Sequence, residues 1–152
     1  MSSVYGAIKT AFVSGIRELN LPGGIEPSSI IKGKVARDRK DCLPNLPGIV
    51  VANYGNKASN PKAGTNLHDH IPYGIVVACL QASNGSQDDR EDIFEQWNER
   101  ICSKFRNQRL TGVPTVFNVE IVSDIVFDNA WFFKGIDASI IVFKVWSREL
   151  RG

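Results

Sequence analysis

Both histidines of the chain sit in one tripeptide, His68, Asp69 and His70. Side chains alternate in extended backbone, so an HxH pair sets two imidazoles on one side, the geometry from which zinc or manganese ligation starts. A metal site needs a third protein ligand, and none is specified. Asp69 projects to the opposite face, and no other acid lies between Lys57 and Ala78. The plainer expectation is a polar strand entry whose imidazoles hydrogen-bond locally. A small metal-binding enzyme centred on His68 and His70 is the catalytic class that these residues leave open.

Other catalytic arrangements are missing. There is no GxSxG elbow, HExxH helix, Walker lysine loop or GxGxxG turn after a strand. Asp124 and Asp128 are four residues apart, and in a strand-to-turn context they begin a bend rather than flank a reacting bond. Ser14, Gly15, Gly23 and Gly24 lie around a helix and its stop, where structural duty accounts for them. Cys42, Cys79 and Cys102 are odd in number and widely spaced, which specifies neither a disulfide framework nor a CxxC zinc site and predicts reduced thiols. No catalytic residue, resident metal or cofactor is expected.

Two further groups have binding chemistry. Net charge is only +2, but residues 1–70 hold nine Lys and Arg against five acids. The excess concentrates in Lys32, Lys34, Arg37, Arg39 and Lys40, a cluster suited to DNA phosphates or an acidic protein partner. Asp38 and Asp41 interleave with it, as they would on a solvated loop face. No RNP-type aromatic strand accompanies it, and the acidic start of the main helix would repel phosphate. Trp131, Phe132 and Phe133 are consecutive, so a strand cannot turn all three to one core. At least one is expected at a subunit contact, the alternative being burial under the N-terminal helix.

The totals frame these groups. A chain of 152 residues with 43% hydrophobic and 22% charged residues reads as one soluble domain, with no apolar run of about 18 residues. The opening MSSVYGAIKTAFVSGIREL lacks a basic start and carries Lys9 inside its apolar part, which predicts no signal peptide and a protein made and kept in the cytoplasm.

The elements that position the candidates follow from periodicity. Val4, Ile8, Phe12, Ile16 and Leu19 predict a helix within residues 1–20, capped by Ser2 or Ser3 and weakened by Gly6 and Gly15. Ile30–Ala36 reads as a short edge strand with Lys32 and Lys34 outward. Ile49–Ala52 is a second strand, followed by an exposed polar loop within residues 55–70 whose core is KASNPKAGTN. Ile71–Gln81, IPYGIVVACLQ, is continuously apolar and predicts a central strand covered on both faces. The main helix, Ser86–Leu110, opens with a Ser86/Asp89 capping box and buries Phe94, Trp97, Ile101 and Phe105, with Gly112 and Pro114 stopping it. In Val116–Val122, Phe117, Val119 and Ile121 are expected inward; in Ala138–Ser147, Ile141, Phe143 and Val145 alternate with Lys144 and Trp146. The order α-β-β-β-α-β-β predicts an α+β fold: a mainly antiparallel sheet of four to five strands with both helices packed on one face.

From about Pro44 to Arg148 the chain resembles small neck proteins of tailed bacteriophages, in particular the tail terminator (tail-completion) family. IPYGIVVACLQ, with Pro72, Tyr73 and Val76, and EQWNERICSKFRNQRLTGVP, with Trp97, Ile101, Phe105, Arg109 and Leu110, carry the likeness. It implies a virion protein without enzyme activity, a homo-oligomeric ring of six subunits that caps the tail tube and joins it to the head connector. Its partners would be the tail tube protein, the head-tail connector proteins and, non-specifically, passing DNA, with no membrane involved. Under that likeness Lys57 and Lys62 would touch a tube or neck partner, Trp131, Phe132 and Phe133 an interface, and the Lys32–Lys40 stretch the DNA channel. Head-tail adaptors and stoppers share this size and ring habit, so the level of the neck stays open between them.

Overall fold

Helix α2 (Gln87–Phe105) lays an aromatic stripe on a sheet. Phe94, Trp97 and Ile101 have no exposed surface, Phe105 is buried beside them, and the Trp97 indole N–H donates to the Pro22 carbonyl at 2.7 Å. The computed structural model describes residues 3–33, 45–54, 62–63, 68–82, 87–128 and 135–150. Helix α1 (Val4–Glu18) packs beside α2, its first turn capped by the Ser3 hydroxyl, which accepts from the Gly6 amide at 3.0 Å. Phe12 of α1 stacks on Phe105 with ring centres 4.2 Å apart, and both rings meet Phe143 of the sheet. A Cβ on Gly15 would lie 2.9 Å from Phe105 Cζ and Lys104 Cε. The glycine that costs helix propensity is therefore what lets α1 approach the end of α2.

The strands are β1 (Ile30–Lys32), β2 (Gly48–Asn53), β3 (Lys62–Ala63), β4 (His68–Ala82), β5 (Val116–Asp128) and β6 (Ile136–Leu150). They form one sheet in the order β1-β2-β4-β6-β5, with β3 paired to the first residues of β4. Only β1–β2 is parallel. The fold is α+β, as the element pattern predicts, and both helices lie on one face. β4 sits at the centre and pairs with β6 along its whole length, from His68 opposite Leu150 to Ala82 opposite Ile136. Tyr73, Ile75, Val77 and Cys79 face the helices, while Val76 and Leu80 join Val50, Ala138 and Val142 in a smaller cluster behind. The doubly covered centre explains why this strand is apolar at nearly every position.

Several boundaries differ from those expected. α2 ends at Phe105 rather than near Leu110, because Asn107 takes a left-handed conformation (φ 57°) and the chain turns there, with Leu110 and Val113 still returning to the core. Ser86 lies outside the described residues. Strand β1 stops at Lys32, and β3 shows that the stretch 55–70 contains paired backbone, as does the start of β4 at His68. Phe117 is not inward: β5 carries an extra residue between Val116 and Asn118, so Val116 and Val119 fill the core and Phe117 is left 37% exposed. No bend begins at Asp124, since β5 runs past it to end at Asp128, and the residues that follow lie outside the described ones.

Replacing Trp97 by Ala removes the largest fully buried side chain and leaves the Pro22 carbonyl unpaired. The expected loss is about 3–5 kcal/mol of stability, read as a fall in Tm of roughly 2–4 °C per kcal/mol in thermal unfolding. A fall of only one or two degrees would mean that α2 is not seated on the sheet through this residue.

Candidate functional site

The residues singled out in the sequence do not converge on a catalytic centre among the described residues. His70 is half-buried at the start of β4, its ring centre 4.7 Å from that of Phe117. His68 opens the same strand, and Lys62 of β3 pairs with His70 through the backbone. No group of three or more His, Cys, Asp or Glu side chains gathers as a metal site among the described residues. Cys79 and Cys102 are buried and form no disulfide. Among the described residues no helix is long and apolar enough to cross a membrane. Lys32 lies exposed on edge strand β1, its Nζ donating to Thr10 Oγ1 at 3.0 Å beside a hollow of about 330 Å³. Arg17 donates to the Ile30 carbonyl from Nη2 at 2.7 Å, so α1 clamps β1. Lys34, Arg37, Arg39, Lys40, Lys57, Trp131, Phe132, Phe133 and Cys42 lie outside the described residues.

Buried polar groups that periodicity does not reveal hold the helices in place. Arg90 pairs with Asp137 of β6, while its carbonyl accepts from the Gln81 amide at 3.0 Å. Asn98 and Ser139 exchange hydrogen bonds at 2.9 and 3.1 Å in the core. The signal for this pair was a polar residue at a core position, since Asn98 follows Phe94 by four and precedes Ile101 by three. Behind α1, the Tyr5 hydroxyl donates to the Gly74 carbonyl, and Tyr73, edge-on to Tyr5 at 5.1 Å, donates to Glu149 at 2.7 Å. Burial raises the pKa of both phenols. At Tyr73 the Glu149 carboxylate, which accepts its proton and repels a phenolate, adds to the rise. A Cβ at Gly74 would run into the Tyr54 carbonyl oxygen, so glycine is required where β4 passes this backbone.

Two surfaces carry opposite charge. Asp88, Asp92, Glu95 and Glu99 recur at spacings of four, three and four on α2, and all four are exposed. Like charges so spaced weaken a helix by about 0.2–0.5 kcal/mol per pair. Among the described residues none of the four is paired with a base, and Asp92 accepts only from the Gln96 amide. The second surface is a groove of about 610 Å³ between α1 and the chain leaving α2. Ala7, Ala11 and Gly15, four residues apart, form its small-residue floor, and Lys104 and Arg109 stand on its wall. Lys104 is 3.5 Å from Glu18 on the opposite rim, whereas Arg109 makes no ion pair among the described residues. A third exposed area lies on the helix-free side of the sheet: Trp146 donates to Glu120 at 2.9 Å, Lys144 sits 5.7 Å over its ring, and Val122 nearby is 56% exposed.

No family model matches the sequence, and no curated protein matches it. A solved structure does. A chain from the virion of a native gene transfer agent particle superposes with a TM-score of 0.62, covering 98% of this chain and 100% of its own. The two chains share a fold. Their sequence identity is 10%.

The Tyr73 environment makes a pH prediction. Its folded pKa lies above the ordinary value of 10.0, so its contribution to stability is complete below that pH and is lost as pH rises through the raised folded value. Urea midpoints followed from about pH 8 to about pH 11 should fall less steeply for Tyr73→Phe than for wild type above pH 10. Parallel curves would show that this phenol is not coupled to folding.

Proposed function

We propose that this chain is a structural virion protein of a phage-type neck, without enzyme activity. It assembles into a six-membered ring that caps the tail tube at its head-proximal end and joins tail to head connector. One observation carries the proposal: the fold is matched from end to end by a chain that belongs to a virion. The resemblance of the β4 and α2 segments to tail terminators supports the position in the neck. Physical support comes from the surface, because closed rings with head-to-tail contacts need two different complementary patches on each subunit, and the subunit has an acidic and a basic one.

On this reading Lys32, Lys34, Arg37, Arg39 and Lys40 flank the channel through which DNA passes. Lys57 and Lys62 face the tube or connector, and Trp131, Phe132 and Phe133 lie at an interface. Tail and head proteins are its partners, and the assembled virion is its location.

Light scattering should give a mass near six times the 16.8 kDa of the chain; a strict monomer at tens of micromolar would count against the ring. Particles assembled without this protein should carry overlong tails. Tails of normal length left unattached to heads would instead assign it to an adaptor or stopper level of the same neck. For the competing enzyme reading, the discriminating measurement is zinc and manganese content before and after changing His68 and His70 together to Ala. Substoichiometric metal in both forms is expected; one ion per chain, lost on substitution, would favour the enzyme.

A further inference from the structure

We infer that copies of this chain join head to tail by seating the acidic ridge of α2 from one copy in the groove between α1 and the α2 exit of the next. The inference rests on the ring proposed above and names the contact that builds it.

Charge complementarity is the first ground. The ridge presents Asp88, Asp92, Glu95 and Glu99 along one exposed face, and the groove offers Lys104 and Arg109. Among the described residues the four acids have no basic partner and Arg109 no acidic one, while Lys104 already contacts Glu18 inside the groove. A neighbour's acids would relieve the repulsion along the ridge, while Glu18 on the rim restricts where they can settle.

Shape is the second ground. A helix approaches closely only where side chains are small, and Ala7, Ala11 and Gly15 line the floor at one-turn intervals. Thr10, Ser14 and Gln108 add polar rather than bulky walls. The hollow of about 610 Å³ admits a row of side chains from a docked helix rather than a deeply enclosed small molecule.

Placement is the third. The ridge begins at the first turn of α2 and the groove opens at its last, so two different surfaces meet at each contact. Such a contact is heterologous, and it closes into a ring or propagates as a filament according to the rotation between neighbours. A two-fold dimer through either surface alone would bring like charges together.

The test uses the full chain and two charge-reversed forms: Asp92→Lys with Glu95→Lys on the ridge, and Lys104→Glu with Arg109→Glu in the groove. The ridge residues and Arg109 are exposed and Lys104 is half-buried, so both forms should melt cooperatively, which circular dichroism checks. Mass photometry at about 50 mM and about 500 mM salt should show wild-type assembly weakening with salt. Each reversed form alone should associate more than about tenfold more weakly. Mixed in equal amounts, the two forms should assemble again, because each reversed ridge then meets a reversed groove and each native ridge a native groove, in alternating order. Wild-type assembly unaffected by either reversal, or folded reversed forms that stay apart when mixed, would overturn the inference while leaving the ring standing. A wild-type chain that remains monomeric would remove the ring and this contact together.

Discussion

The meeting of Phe12, Phe105 and Phe143 fixes the molecule. These rings come from α1, the last residue of α2 and the middle of β6, and their centres lie 4.2 to 6.1 Å apart. Aromatic groups in such stacked and edge-on arrangements contribute about 0.5–1.5 kcal/mol per pair beyond burial alone, and here the pairs share members, so moving one element loosens two others. The crossing works only because residue 15 has no side chain. The groove beside it is a by-product of the same geometry: α1 touches α2 at its end, and the chain leaving α2 must run past the small residues of α1.

Polar groups act where the apolar stripe cannot discriminate. A helix carrying a broad hydrophobic face can slide or rotate at modest cost, whereas buried polar partners tolerate little displacement because a separated pair leaves desolvated groups behind. Arg90 with Asp137, and two turns later Trp97 with Pro22 and Asn98 with Ser139, reach β6 twice and the loop after α1 once. They fix the rotation of the helix about its axis. That rotation turns Asp88, Asp92, Glu95 and Glu99 to solvent as one row, so the outer charge pattern is set from the inside.

Much of the architecture was legible because burial follows simple periods. The run from Ile75 to Leu80 reads as a central strand because both of its faces are covered, and the spacing of Phe94, Trp97, Ile101 and Phe105 is enough to place α2 on the sheet. Legibility failed where a single residue overrode the pattern. The helix expected from sequence runs on to Leu110, yet Asn107 ends it by its backbone conformation. The alternation through Phe117 looks regular, yet one extra residue in β5 reverses it. The pairings of Asn98 with Ser139 and of Arg90 with Asp137 span 41 and 47 residues, a separation over which no local pattern carries information. Candidate sites were less legible than the fold, since charge clusters declare chemistry without declaring where the chain will put them.

The outer edge of β5 has a consequence for how this protein avoids self-templated fibres. An edge strand of thirteen residues would ordinarily invite added strands, the first step of amyloid-like stacking. Here the Asn107 amide occupies the Val119 carbonyl at 2.8 Å, and three inserted residues break the repeat at Val116/Asn118, Ile121/Ser123 and Ile125/Asp128. An incoming strand would find its hydrogen-bonding rhythm interrupted at each of these points. Strand addition along this edge is thereby disfavoured, and the sheet has no regular ladder to offer a copy of itself there.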